Sequence, residues 1–187
     1  KANAPQRRAA AWALFEMGKA AAPAAQTLAS LLEDPDVRVP ALRALEAIGP
    51  EAVLALPELT KLLAHPDFYI RVGAMLTLAE IGCPLDKRES GGKRQPSAHA
   101  AVVSESLVIA FLDEFPTIAD EASEIIAAFG SFARPVLQPA IEMLDHADPG
   151  RQIGALRVIT ALGPGAAPAV PKLTEMLAGQ SQEIRCI

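Results

Sequence analysis

The residues able to do chemistry are few and poorly placed for it. The chain has three histidines, His65, His99 and His146, and two cysteines, Cys83 and Cys186. His65 and His146 each stand sixteen residues after a glycine, Gly49 and Gly130. That recurrence points to a turn repeated along the chain rather than to two ligands of one ion. Helices pack about 8–10 Å apart, so units two steps apart lie too far from each other to share a metal. A disulfide needs Cα atoms within about 7 Å, and the two cysteines lie three units apart, so no Cys83–Cys186 bridge is expected. Neither cysteine has a histidine beside it to raise its nucleophilicity. Gly92-Lys93 lacks the spacing of a phosphate-binding loop. The carboxylate pairs Asp113-Glu114 and Asp120-Glu121 read as solvated helix ends. The sequence thus predicts no catalytic residue, no metal site and no cofactor.

Composition excludes more. The 187 residues carry a formal charge of −5, and the pI is about 5.2. A surface built to follow a phosphate backbone normally carries basic excess, so nucleic-acid binding is disfavoured. Alanine (37 residues) and leucine (22) make up nearly a third of the chain, and aromatics only 4%. Strong helix formers with few β-branched residues exclude an all-β fold. Sixteen prolines favour short helices with proline at their starts. The alanine-rich run 20–32, free of charge, has only 13 residues and contains Pro23, so no membrane span is expected.

The elements that must carry these residues emerge from an internal repeat. Gly18, Gly49, Gly82, Gly130 and Gly163 are spaced by 31, 33, 48 and 33 residues. Eight residues before each stands an alanine: Ala10, Ala41, Ala74, Ala122 and Ala155. Four before stands Leu14, Leu45, Leu78, Ile126 or Ile159, and one before stands Met17, Ile48, Ile81, Phe129 or Leu162. These offsets share one helix face, and the glycine reads as a left-handed C-cap. Thirteen and fourteen residues after the glycine comes an apolar pair: Leu31-Leu32, Leu62-Leu63, Met143-Leu144 and Met176-Leu177. This marks a second amphipathic helix with prolines near its start. Turns with acidic residues in N-cap positions return the chain to the first helix type. The unit is a helical hairpin, and one hairpin buries its apolar stripe only against a neighbour.

The pattern resembles the HEAT repeat, particularly the HEAT-like form found in phycobilisome lyases, over essentially the whole chain. The segment from Val37-Arg38 through Ala41, Ala44-Leu45 and Ile48-Gly49 looks like the inner helix of that family, and Pro57-Glu58-Leu59-Thr60-Lys61-Leu62-Leu63 like its outer helix. The resemblance implies an all-α fold, a right-handed α-solenoid of stacked antiparallel hairpins. Its units would span 6–19, 20–49, 50–82, 83–130 with a loop inserted at 83–97, 131–163, and 164–187, the last truncated. Such a cut predicts a fragment of a longer chain, with Ser181–Ile187 restarting an inner helix. In the family an arginine of the inner helix often pairs with a turn aspartate. Ala119 and Gln152 replace that arginine, and His65, His146 and Gly179 the aspartate, so a broken ladder is expected. Pro40 is atypical within an inner helix and predicts a shifted start or a kink. HEAT-like deoxyhypusine hydroxylases use His-Glu pairs for iron; this chain has no His-Glu dipeptide.

Two contact regions follow. Six residues before each glycine stand Trp12, Arg43, Leu76, Glu124 and Arg157, with Glu80 two before Gly82. If inner helices line the concave surface, as the resemblance implies, these residues form the floor of a groove, and Trp and Arg are typical hot-spot types. The insertion between Gly82 and Gly130 reads as about sixteen residues, with Phe111-Leu112 taking the place of the apolar pair. Its segment 86–96 carries Lys87, Arg88, Lys93 and Arg94 and a charge of +2, and long loops are often functional. The expected function is a non-catalytic scaffold or adaptor holding a protein partner of unidentified kind. The alternative implied by the resemblance is an enzyme or enzyme subunit like the HEAT-like phycobilin lyases.

Overall fold

The computed structural model describes residues 3–84 and 95–184, with side chains through residue 178. Every regular element among them is helical. Five helices of one layer are α1 (Ala4–Met17), α3 (Arg38–Ile48), α5 (Phe68–Gly82), α7 (Pro116–Ala128) and α9 (Pro149–Leu162). The second layer contains α2 (Ala25–Ser30), α4 (Leu56–Leu62), α6 (Ala100–Phe111), α8 (Leu137–Met143) and α10 (Val170–Ile184). Each helix of the first layer packs on the next, α1 on α3, α3 on α5, α5 on α7 and α7 on α9. The α5–α7 contact is much the slightest of the four.

The alanine stripe explains the close stacking. Ala41, Ala74, Ala122 and Ala155 are fully buried, as are Leu45, Leu78, Ile126, Ile48, Ile81 and Phe129. A methyl side chain lets two helices approach until the branched aliphatics beside it fill the remaining space. Ala10 and Met17, at the same positions of α1, are exposed, because no helix of the described chain lies on that side. Pro40 sits in the first turn of α3, where its missing N–H would have no helical partner anyway. It starts the helix rather than kinking it.

Four of the five glycines behave alike. Gly18, Gly49, Gly130 and Gly163 have φ between 55° and 73°. At Gly18, Gly49 and Gly163 ψ is −131°, −136° and −128°. This is the mirror image of extended backbone rather than the left-handed helical cap expected from sequence, and only glycine occupies it freely. Each starts a seven-residue 3-10 segment: Gly18–Ala24, Gly49–Ala55, Gly130–Val136 and Gly163–Ala169. Pro23, Pro135 and Pro168 fall inside these segments, not in the outer helices they precede.

Gly82 departs from the expected cap. It ends α5 without a positive φ. A Cβ there would lie 2.7 Å from Phe129 Cζ and 3.0 Å from Val103 Cγ1. Here glycine makes room for the neighbouring unit instead of turning the chain. The inserted segment is closed at its base by Ser97. Its N–H donates to the Gly82 carbonyl (2.7 Å), and its hydroxyl donates to the Ile81 carbonyl (2.7 Å) and accepts from the His99 N–H (3.0 Å).

The apolar pair of this unit also shifts. Phe111 is buried like Leu32, Leu63 and Leu144, whereas Leu112 is 49% exposed. The insertion therefore adds fifteen residues, the difference between the spacings of 48 and 33, not sixteen. The corrected register makes Asp113 the turn residue equivalent to Asp34 and His65.

That register adds one rung to the ladder, which stays broken at the other expected positions. Arg7 Nη2 lies 2.6 Å from Asp34 Oδ2, and Arg71 Nε lies 2.9 Å from Asp113 Oδ2. Arg38 Nε donates to the Leu32 carbonyl, Arg71 Nη1 to that of His65, and Gln152 Nε2 to that of His146. Gln152 thus keeps the local hydrogen bond and loses only the charge. Ala119 cannot reach the corresponding Asp113 carbonyl, and Arg151 of the next unit donates to it instead. Asp113 is no solvated helix end: both it and Arg71 have side chains less than a tenth exposed.

One further expectation changes. The helix α10 runs unbroken through Ile184, so residues 181–184 continue it rather than starting a new inner helix. The stretch Pro149–Ala178 is long and apolar enough by composition to cross a membrane. In this fold it divides into α9, a 3-10 segment and the start of α10.

Candidate functional site

The two recurrent histidines are structural parts of their turns. The side chain of Asp34 accepts from the N–H of Asp36 (3.0 Å), and that of Asp113 from the N–H of Phe115 (2.9 Å). His65 Nδ1 accepts from the N–H of Asp67, and His146 Nδ1 from that of Asp148, both at 3.0 Å. Imidazole here copies the turn made by an aspartate. Asp67 and Asp148 then cap α5 and α9 by accepting from Tyr69 and Gly150. Among the described residues, no three His, Cys, Asp or Glu side chains gather as a metal-binding group. Cys83 is buried, with its Sγ 3.9 Å from the Ala128 carbonyl oxygen, and Cys186 lies outside the described residues.

A concave place lies at the C-terminal ends of α1, α3 and α5. A cavity of about 480 Å³ is lined there by Trp12, Phe15, Lys19, Arg43, Glu46, Ala47, Gly49, Pro50, Glu80 and Pro84. The repeat dictates this grouping. Offsets of six and three before the glycine lie on one face of a helix, so Trp12 and Phe15 of α1 adjoin Arg43 and Glu46 of α3. The Trp12 and Phe15 rings meet edge to face, with centroids 5.7 Å apart, the favoured arrangement for an aromatic pair. Trp12 remains 43% exposed despite this contact. Arg43 Nη1 holds Glu46 Oε2 at 2.9 Å, which fixes both side chains on the rim. Two cationic and two anionic side chains line the cavity, and its walls are aromatic and prolyl.

Three of the expected groove residues, Trp12, Arg43 and Glu80, meet at this cavity. Leu76 does not line it; it is half-buried against the core on α5. Glu124 and Arg157 lie farther along the row and face each other, with Arg157 Nη2 3.6 Å from Glu124 Oε1. Arg157 Nη1 also donates to the buried Ser123 hydroxyl at 2.6 Å. The loop residues Lys87, Arg88, Lys93 and Arg94 lie outside the described residues, but Pro84, where that segment leaves α5, stands on the cavity wall.

Sequence reasoning missed Phe15, Lys19, Glu46, Pro50 and Pro84. Phe15 and Glu46 lie one turn from Trp12 and Arg43, so the same helical period would have found them. Lys19 and Pro50 follow Gly18 and Gly49 directly, and only the positive-φ turn brings them back toward the helix ends.

No protein-family profile matches the chain. No curated protein matches it either. Solved structures do. An engineered protein of the Northeast Structural Genomics Consortium superposes with a TM-score of 0.63 at 20% identity, covering 97% of this chain and 84% of the other. A second engineered protein from the same consortium gives a TM-score of 0.63 at 21% identity, covering 94% of this chain and 48% of the other. At this identity the likeness concerns the helical repeat fold and nothing about function.

Proposed function

We propose that this chain is a non-catalytic scaffold holding a protein partner along the exposed row of its inner helices, with the Trp12 cavity as the principal contact. In this reading the stack is of HEAT type and coils as a right-handed superhelix, with α1, α3, α5, α7 and α9 on its concave side. The observation that carries the reading is the cavity. A half-exposed tryptophan and an arginine, the types that dominate binding hot spots, stand at one repeat offset on adjacent helices and open onto one space of about 480 Å³. The ion pair on its rim holds Arg43 and Glu46 in place, so little side-chain entropy is lost on binding. Lys87, Arg88, Lys93 and Arg94 form a second contact in this reading, with an acidic surface of the partner outside the segment held in the groove.

Crosslinking mass spectrometry of the protein in its own cells tests this. The expected result is one recurrent partner with crosslinks around α1, α3 and α5, reduced about tenfold in a Trp12→Ala, Arg43→Ala variant, as for loss of a hot-spot pair. A partner captured equally by the variant and mapped to the outer helices would refute the site. Recovery of no protein partner would refute the function.

A further inference from the structure

We infer that the partner segment is an extended basic peptide with a single apolar anchor; this rests on the groove reading above. The anchor enters the Trp12 cavity, and lysine or arginine side chains some residues away lie over α7.

The cavity favours an apolar body over a charge. Trp12, Phe15, Ala47, Pro50 and Pro84 form its walls, while Lys19 and Arg43 are balanced by Glu46 and Glu80. An ion entering such a site gains little net attraction and loses its hydration, whereas an aliphatic or aromatic side chain buries surface against rings and prolines.

Selectivity by charge arises farther along the same row. Asp120, Glu121 and Glu124 are all exposed on α7; Glu124 stands six residues before Gly130, the offset of Trp12 and Arg43, and Asp120 and Glu121 lie one turn earlier on the same face. Arg157 approaches Glu124 at 3.6 Å, while Asp120 and Glu121 have no cationic partner among the described residues. An acidic segment would be repelled there and a basic one attracted, in a chain whose total charge is already −5.

Geometry sets the spacing between anchor and charge. The cavity lies between the ends of α1, α3 and α5, and α7 is the next helix in the layer. Because α5 and α7 barely touch, the gap exceeds one helix separation of about 8–10 Å, and roughly four to six residues of extended chain at about 3.3 Å each span it. Between them α5 presents Val72 and Leu76, both half-buried and apolar, as floor for the intervening residues.

Three synthetic peptides without tryptophan test the inference. All carry one leucine anchor, and about four residues away they carry two lysines, two glutamates or two glutamines. Trp12 is the chain's single tryptophan, so a shift in its emission reports occupancy of the cavity. The lysine peptide should shift that emission and bind about tenfold more tightly than the other two, and added salt should remove the advantage. The variant Asp120→Asn, Glu121→Gln, Glu124→Gln alters exposed side chains alone; it should abolish the advantage and preserve the emission shift. If the glutamate or glutamine peptide shifts Trp12 and binds as tightly, the basic partner is refuted and the groove stands. If no peptide shifts Trp12 and crosslinking also finds no partner on the inner row, both are refuted.

Discussion

The chain leaves α3 and α5 through the same residue type and uses it in opposite ways. At Gly49 the backbone takes φ 73°, enters a 3-10 segment and reaches α4 within seven residues. At Gly82 φ is not positive, the helix continues, and the glycine lies where any Cβ would strike Phe129 and Val103. The turn residues differ in parallel. Asp34, in the turn before α3, pairs with Arg7 near the surface, whereas Asp113, after the insertion, pairs with Arg71 in the interior. Arg71 also lies 4.9 Å from the centre of the Phe115 ring. A regular junction derives its geometry from local backbone. The lengthened one, where α5 and α7 barely touch, depends on tertiary contacts: a ring filling the glycine's space, a buried ion pair and a serine closing the inserted segment.

A graded set of substitutions would break or sharpen this contrast. The largest effect is expected from Asp113→Ala, which leaves Arg71 buried without its counter-charge at a cost of about 3–5 kcal/mol; denaturant unfolding measures it. Asp34→Ala should shift the same curve far less, and equal shifts would contradict the contrast.

Gly82→Ala and Gly49→Ala should each cost about 1–3 kcal/mol, for different reasons. The first is overpacking, so a second change, Phe129→Leu, should return part of the loss. The second is backbone strain, with nothing closer than 3.9 Å to relieve, so truncating a neighbour should return none. Ser97→Ala removes the hydroxyl's two hydrogen bonds at the base of the insertion. It should cost about 1–2 kcal/mol and speed proteolysis near residue 97 more than elsewhere.

The smallest effect concerns pH. The Arg7 guanidinium, hydrogen-bonded to Asp34, and then the Asp36 N–H hold that carboxyl below its usual value of 3.8. The folded form therefore binds its proton less readily than the unfolded chain. The resulting stabilisation is present above the ordinary carboxylate range and is lost as pH falls through the lowered value. Arg7→Gln should weaken the acid dependence of stability in that window and leave it unaltered near neutrality. An unchanged acid limb would show that the pair contributes nothing.

Local patterns were legible wherever a periodicity or a backbone preference acts within a few residues. The five inner helices, their alanine stripe and the buried aliphatics follow from the 3.6-residue period, and Trp12 and Arg43 share a cavity because one offset recurs on stacked helices, with Glu80 one turn nearer its own glycine. Leu76, chosen by the same offset, stays half-buried against the core and does not line the cavity, because its neighbours on both sides decide its exposure. What only the tertiary structure decided lies at contacts between residues distant in sequence. Gly82 looks like the other four glycines, and nothing local says that Phe129, 47 residues later, needs its space. Asp113 looks like a surface carboxylate until the fold brings Arg71 to it. The sequence by itself determined which segments are helical and which faces they bury, because those choices rest on local propensity and period. The partners of Gly82, Asp113 and Trp12 required the stack, because the free energy of each contact exists only when separate helices meet.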